Sequence, residues 1–233
     1  MELILIRHAQ PAWAEPDGTA VNDPGLTDLG RLQAQTIAAR LATLSYDGPT
    51  ELLVSTARRA RQTAEPIAEA MGLEATHHDW IHEIRLPPDW EGTPAQEVGR
   101  RLRDARARPR DQWWIGLGQG SESFRDFHER VTTGLEGALA ERDVTRHPDD
   151  PEHLWSVPEH AGRLVIVAHA GTNSVVLSHL LGIAPQPWEW ERFASNHASF
   201  TILDTTPIAS GSIWSLQLFS GVAHIADEVE VTK

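Results

Sequence analysis

The sequence predicts an α/β fold: a three-layer sandwich with a mostly parallel central sheet, helices on both faces and an inserted cap region. Three observations predict it. Short apolar runs alternate along the chain with segments of helical periodicity. The runs at 2–6, 52–54 and 164–168 are apolar without alternation, as strands covered on both faces are. A length of 233 residues gives one domain, 1–233, ample core.

The elements follow in order. Residues 2–6 read as a buried strand, and 9–26, rich in Pro, Gly, Asn and Asp, as a loop. Thr27 is placed to cap a helix whose apolar face is Leu29, Leu32, Ile37, Leu41 and Leu44, ended by Asp47-Gly48-Pro49. A strand at 52–54 precedes a helix over 57–71, stopped by Gly72 and kinked by Pro66. A further strand is expected at 74–81. Residues 84–120 carry four Pro, three Trp and six Arg between 100 and 110, and read as the inserted cap. A helix over 121–142 presents Phe124, Phe127, Val131, Leu135 and Ala138 on one face, and 146–160 read as a polar surface loop. The strand at 164–168, a helix over 172–181 and late strands at 199–203 and 213–219 complete the set.

Composition narrows the function. With 33 acidic against 20 basic residues the net charge is −13, which disfavours nucleic acid or an anionic membrane as partner. The absence of Cys excludes disulfides, thiolate zinc sites and Cys nucleophiles. No apolar stretch approaches the roughly 20 residues of a membrane span, and no leader pattern opens the chain, so a cytoplasmic protein is expected. Every basic residue except Lys233 is Arg, the better bidentate ligand for anions.

Chemistry is expected beyond the carboxyl ends of the strands. Arg7-His8-Ala9 follows the first strand, Ser55-Thr56-Ala57-Arg58-Arg59 the second, and His169-Ala170-Gly171-Thr172 the strand at 164–168. Two His and two or three Arg on one edge call for an anionic partner, and phosphate, helped by helix N-termini, supplies it. A neutral imidazole can attack phosphorus, Arg and His can hold the equatorial oxygens, and one carboxylate can serve as acid and then base. Glu83, after the strand at 74–81, is the candidate carboxylate. His77, His78 and His82 lack the carboxylate pattern of a zinc motif and read as surface histidines.

These blocks resemble the histidine phosphatase superfamily, the phosphoglycerate-mutase-like family. Leu5-Ile6-Arg7-His8-Ala9-Gln10 is similar to its opening strand and Arg-His-Gly. Leu26-Thr27-Asp28-Leu29-Gly30-Arg31-Leu32-Gln33-Ala34 resembles its Leu-Thr-x-x-Gly-x-x-Gln-Ala block, and Arg59-Ala60-Arg61-Gln62-Thr63-Ala64 its Arg-Ala-x-Gln-Thr-Ala block. Glu83 to Gly92 is similar to the acidic segment ending in Trp-Glu-Gly, Gly120-Ser121-Glu122-Ser123 to Gly-Glu-Ser, Val165 to Gly171 to the second His motif, and Asn196-His197-Ala198-Ser199 to a late Asn motif. The resemblance implies His8 as nucleophile, Arg7, Arg59 and His169 as phosphate ligands, Glu83 as acid and base, and no metal or other cofactor. It selects Arg59 over Arg58, and places Gln10, Asn22 and Ala170 where substrate binds. Ala9 and Ala170 replace the family's Gly after each His, which implies a slightly altered pocket.

The activity implied is a phosphomonoester hydrolase acting on a small phosphorylated metabolite. Two alternatives stand beside it. A phosphoglycerate mutase would return the phosphoryl group to a sugar acid, with Arg100-Arg101 as a carboxylate clamp, although the Tyr-Gly-Gly and Gly-Leu-Asn-Lys runs are missing. A phosphate-binding scaffold would keep the site without turnover. The late strands and the Trp188 and Trp190 patch fit either core or the interface of a homodimer.

Overall fold

The structure is a computed structural model that describes residues 1–147, 154–226 and 229–233. In chain order its elements are β1 (Glu2–Arg7), α1 (Asp28–Ala42), β2 (Thr50–Ser55), α2 (Arg58–Met71), β3 (Ala75–His78), α3 (Ala95–Arg106), α4 (Phe124–Ala140), β4 (Thr145–Arg146), β5 (Trp155–Ser156), β6 (Arg163–Ala168), α5 (Ala170–Leu180), α6 (Glu189–Arg192), β7 (Phe200–Ile208), β8 (Gly211–Gly221) and α7 (Ala223–Ala226). Eight strands form one sheet in the order β3-β2-β6-β1-β7-β8-β5-β4. β3, β2, β6 and β1 run parallel, and each later neighbour reverses, so six of the eight strands point one way.

The alternating pleat splits the core into two layers. Ile4, Ile6, Leu52, Val54, Val165 and Val167 pack with Ile37, Leu41 and Ile67 of α1 and α2. Leu3, Leu5, Leu53, Leu164 and Ile166 pack on the other face with Phe127, Val131 and Leu135 of α4 and Val176 of α5. Ile4, Leu164 and Ile166 are fully buried, and truncating one of them to Ala is expected to cost about 2–5 kcal/mol.

Register then builds the functional edge. Arg7 lies opposite Ala168, and Val54 opposite Val167. The residues after β1, β2 and β6 therefore emerge side by side.

Several sequence expectations shift. The α1 face turns so that Leu32 is 52% exposed while Gln33 is fully buried. Gln33 is held inward because its carboxamide accepts from Gln10 N at 3.0 Å and donates to the Glu230 carbonyl at 2.8 Å. α2 continues through Pro66 as one helix. The strand expected to 81 stops at His78 and gives way to a 3-10 turn, Asp79–Ile81. Of the loop expected at 146–160, residues 148–153 lie outside the described residues. Arg146 and Trp155 instead pair in two short strands, and the Trp155 side chain is buried with its ring centroid 6.3 Å from that of Trp214. Trp188 and Trp190, both partly buried, pack with each other and with Phe124 at 5.1–5.6 Å, against the core of this chain.

Candidate active site

His8 follows the end of β1 and is 3% exposed. Its Nδ1 lies 2.8 Å from the Ala9 carbonyl. A carbonyl only accepts, so the proton sits on Nδ1 and Nε2 carries the free lone pair. Burial holds this imidazole well below its ordinary pKa, with Arg59, Arg7 and His197 adding repulsion, so His8 is neutral at pH 7. The Ala9 N–H donates to Thr63 Oγ1 at 3.0 Å, which fixes the chain beyond the imidazole.

His169 is completely buried, its ring centroid 5.1 Å from that of His8. Ser55 Oγ accepts from the Ala57 N–H at 3.3 Å and lies 2.7 Å from His169 Nε2. His169 Nδ1 is buried with no hydrogen-bond partner among the described residues. Burial, then Arg59, His8, His82 and Arg7, hold His169 well below its ordinary value. It caps α5 with extended backbone, so that helix starts at Ala170 rather than at the expected Thr172.

Two arginines supply positive charge. Arg7 Nη1 donates to the Ser195 carbonyl at 2.5 Å, and Nη2 lies 3.0 Å from His197 Nε2. A guanidinium only donates, so His197 accepts there, and its Nδ1–H donates to Thr232 Oγ1 at 2.9 Å. Burial lowers Arg7 to about 10, opposed by Glu83, and it stays charged at neutral pH. His197 falls to about 3 through burial and the charges of Arg7 and Arg59. Arg59 is 3% exposed, whereas Arg58 is exposed. Arg59 reaches Asp23 only at 3.7 Å and lies 4.9 Å from the centroid of the Trp13 ring. Its Nε and Nη1, and Nε of Arg7, are buried without hydrogen-bond partners among the described residues. The N-termini of α2 and α5 add their positive dipole ends to the same edge.

Glu83 comes from the turn after β3. Its Oε2 accepts from the Gly171 N–H at 2.9 Å and its Oε1 from the Ile84 N–H at 3.0 Å. A Cβ on Gly171 would lie 2.3 Å from Glu83 Oε1, so only Gly admits the carboxylate here. Arg130 of α4 clamps the backbone that carries Glu83. Its Nη1 donates to the carbonyls of Trp80 and His82, each at 3.0 Å, while Nε and Nη2 grip Glu122 at 2.7 and 2.6 Å.

The edge thus assembles Arg7, His8, Arg59, Glu83 and His169. Asn22 and Ala170 join them, Asn22 lining two adjoining cavities and Ala170 one of these. Gln10 is turned to Thr27, whose Oγ1 donates to its Oε1 at 2.7 Å, and unlike Asn22 and Ala170 it lines neither cavity. Neither Ala9 nor Ala170 has a positive φ, so Ala costs no backbone strain where the family has Gly. His82 is not the surface residue expected: it lines the smaller cavity, 5.7 Å from the His169 ring. Sequence reasoning also missed Ser55, Thr63, Trp13 and Arg130. Two of these carried a signal, Ser55 as the residue that follows the strand at 52–54 and Thr63 as the Thr of the Arg-Ala-x-Gln-Thr-Ala block.

Neutral buried imidazoles among unpaired guanidinium N–H groups define a class: an α/β protein with a histidine-centred oxyanion site at the carboxyl edge of its sheet. Comparison with known proteins agrees. The sequence pattern of the histidine phosphatase superfamily (branch 1) matches residues 3–211, and the chain belongs to that family. A glucosyl-3-phosphoglycerate phosphatase from Mycolicibacterium vanbaalenii is 28% identical over 97% of both chains. Phosphoglycerate mutase-like protein 4 of Arabidopsis thaliana is 26% identical over 97% of this chain and 87% of its own. A mycobacterial glucosyl-3-phosphoglycerate phosphatase structure superposes with TM-score 0.67 at 25% identity, covering 95% of this chain and 99% of its own. The alpha-ribazole phosphatase of Shigella flexneri shares the fold, with TM-score 0.69 at 23% identity over 95% and 96% of the two chains.

Proposed function

We propose that the chain is a metal-independent phosphomonoesterase acting through a phosphohistidine on His8. The observation that carries this is the set of buried nitrogens without partners among the described residues, the N–H groups of Arg7 and Arg59 and Nδ1 of His169, beside an imidazole held neutral with Nε2 free. Such groups are costly to bury unless an anion meets them. In this reading they hold the three equatorial phosphate oxygens, with the α5 N-terminus at Ala170 adding its dipole. His8 Nε2 attacks phosphorus and the P–O ester bond breaks. Glu83, acting as general acid, gives a proton to the leaving alkoxide. Water then attacks the phosphohistidine, Glu83 takes its proton, and the P–N bond breaks to release phosphate and restore His8.

Asn22 meets the ester group, Gln10 acts only through Thr27, and the substrate is a small phosphorylated metabolite. The chain works as one unit over 1–233 with 84–120 as its cap. No helix among the described residues is long and apolar enough to cross a membrane; a cytoplasmic enzyme is our reading. A homodimer would use the exposed Ile208, Leu216 and Leu218 of the β7–β8 hairpin, and sedimentation tests it.

The mutase alternative needs a second anion site, and Arg100 and Arg101 do not offer one. They pair with Glu97, Asp104 and Asp89 and line neither cavity. Phosphate release measured against phosphoglycerate isomerisation separates the two activities. Hydrolysis is expected to dominate; isomerisation outpacing release would overturn this reading. Vanadate binding with no turnover across a panel of esters would instead favour the scaffold.

A further inference from the structure

We infer that this site selects phosphate esters of apolar alcohols and has no place for a second anionic group on the substrate. The inference rests on the phosphatase reading above and adds the leaving-group class to it.

Two cavities meet at Glu83. The smaller, about 320 Å³, holds Arg59 and His82. The larger, about 480 Å³, takes in Arg7 and Ala170 at the strand ends and extends from there under residues 84–120 to Val98 and Leu102. Both are lined by Trp13, Asn22, Glu83, Ile84 and Leu86. An ester oxygen that takes its proton from Glu83 must sit at this junction. With the phosphoryl group held between Arg59 of the smaller cavity and Arg7 of the larger, the alcohol carbon chain extends away from both arginines into the apolar part of the larger cavity.

That cavity is apolar where the alcohol would lie. Val21, Trp90, Val98, Leu102, Leu117 and Trp190 form its walls, and among the described residues Arg7 and Glu83 are its only charged lining groups. Arginines are plentiful nearby, yet none of the six between 100 and 110 lines it. Arg100 and Arg101 point to acidic neighbours, Arg106 pairs with Glu191, and Arg108 donates to the Gly116 and Leu117 carbonyls. Arg85, which lines the smaller cavity, is paired with Asp79 and Glu122. The Asn22 carboxamide donates to the Pro87 carbonyl at 3.3 Å. A sugar hydroxyl or a carboxylate in the larger cavity would lose water and find few partners. An alkyl chain or ring would gain from burial. The volume suits roughly ten to fifteen heavy atoms at ~30 Å³ each.

The test compares kcat/KM of the intact protein for ethyl, butyl and hexyl phosphate with that for 3-phosphoglycerate and glucose 6-phosphate. These alkyl alcohols are close in reactivity, so chain length reports burial. We expect kcat/KM to rise roughly three- to fourfold for each added methylene until the cavity fills. Hexyl phosphate should exceed both polar esters at least tenfold. Leu102→Asp should cut the hexyl-to-ethyl ratio at least tenfold, and the milder Leu102→Ala roughly threefold. A flat series, faster turnover of 3-phosphoglycerate, or a ratio unmoved by both Leu102 variants would overturn this inference alone. If the intact protein releases phosphate from none of these esters, the phosphatase reading itself falls, and this inference with it.

Discussion

The two halves of the site are built from different parts of the chain and obey opposite rules. The phosphate half stands on the ends of β1, β2 and β6, where paired strands fix Arg7, His8 and His169 within one register. It concentrates positive charge and leaves N–H groups unpaired. The alcohol half stands on turns and α3, where arginines are abundant but turned outward onto carboxylates and carbonyls. Reaction chemistry needs rigid placement, which a parallel sheet supplies; selectivity needs a replaceable wall, which connecting segments supply. The same overall charge of −13 therefore contains a cationic pocket next to an apolar one.

This contrast breaks most severely at His8. His8→Ala should lower turnover of any ester by roughly 10⁴-fold or more, assayed by phosphate release. Glu83→Gln should cost roughly 10²–10⁴-fold on alkyl phosphates and far less on p-nitrophenyl phosphate, whose alcohol leaves without a proton. Equal losses on both would remove Glu83 from the acid role. Arg59→Met should cost roughly 10²–10³-fold on both ester types, because the phosphate is common to them. Arg130 touches no cavity but aims Glu83, so Arg130→Met should cost roughly tenfold, again more on alkyl than on aryl esters. A loss equal on both would show a merely structural role.

A smaller effect sharpens the phosphate half. His8, His169 and His197 have lowered pKa values in the folded chain, and His128 and His224 shift in the same sense. The unfolded chain binds protons on these rings below about pH 6.5, while the folded chain resists them. Their contribution is present above that pH and is lost as pH falls. Each adds a slope of up to ~1.4 kcal/mol per pH unit. Urea midpoints should drop between pH 7 and 5, less steeply in His197→Gln. A flat profile would contradict the burial assigned to these rings.

Much of this was legible in the sequence, unevenly. The parallel half announced itself because its strands are short apolar runs and their ends carry Arg7-His8, Arg59 and His169. Glu83 was legible through the block that ends at Gly92. The residues that aim these groups were not, since each acts across the fold. Arg130 is 47 residues from Glu83 in sequence, and Ser55 is 114 from His169. His82 passed for a surface residue because nothing in a His-x-x-x-His spacing says which side of a 3-10 turn faces a cavity. The outward turn of the α3 arginines follows from Glu97, Asp104 and Asp89, one of them six residues upstream of the helix. Leu32 misled because apolar periodicity alone cannot anticipate that Gln33 is wanted inside as a hydrogen-bonding hub.

The central claim is that His8 Nε2 carries the phosphoryl group. The direct measurement is to quench the protein with base during turnover of an excess of hexyl phosphate and to map the modified peptide by mass spectrometry. One phosphoryl group on His8, lost on acid treatment and absent from His8→Ala, is the expected result. Turnover that proceeds with His8 unmodified, or a phosphoryl group found on another residue, would contradict the account.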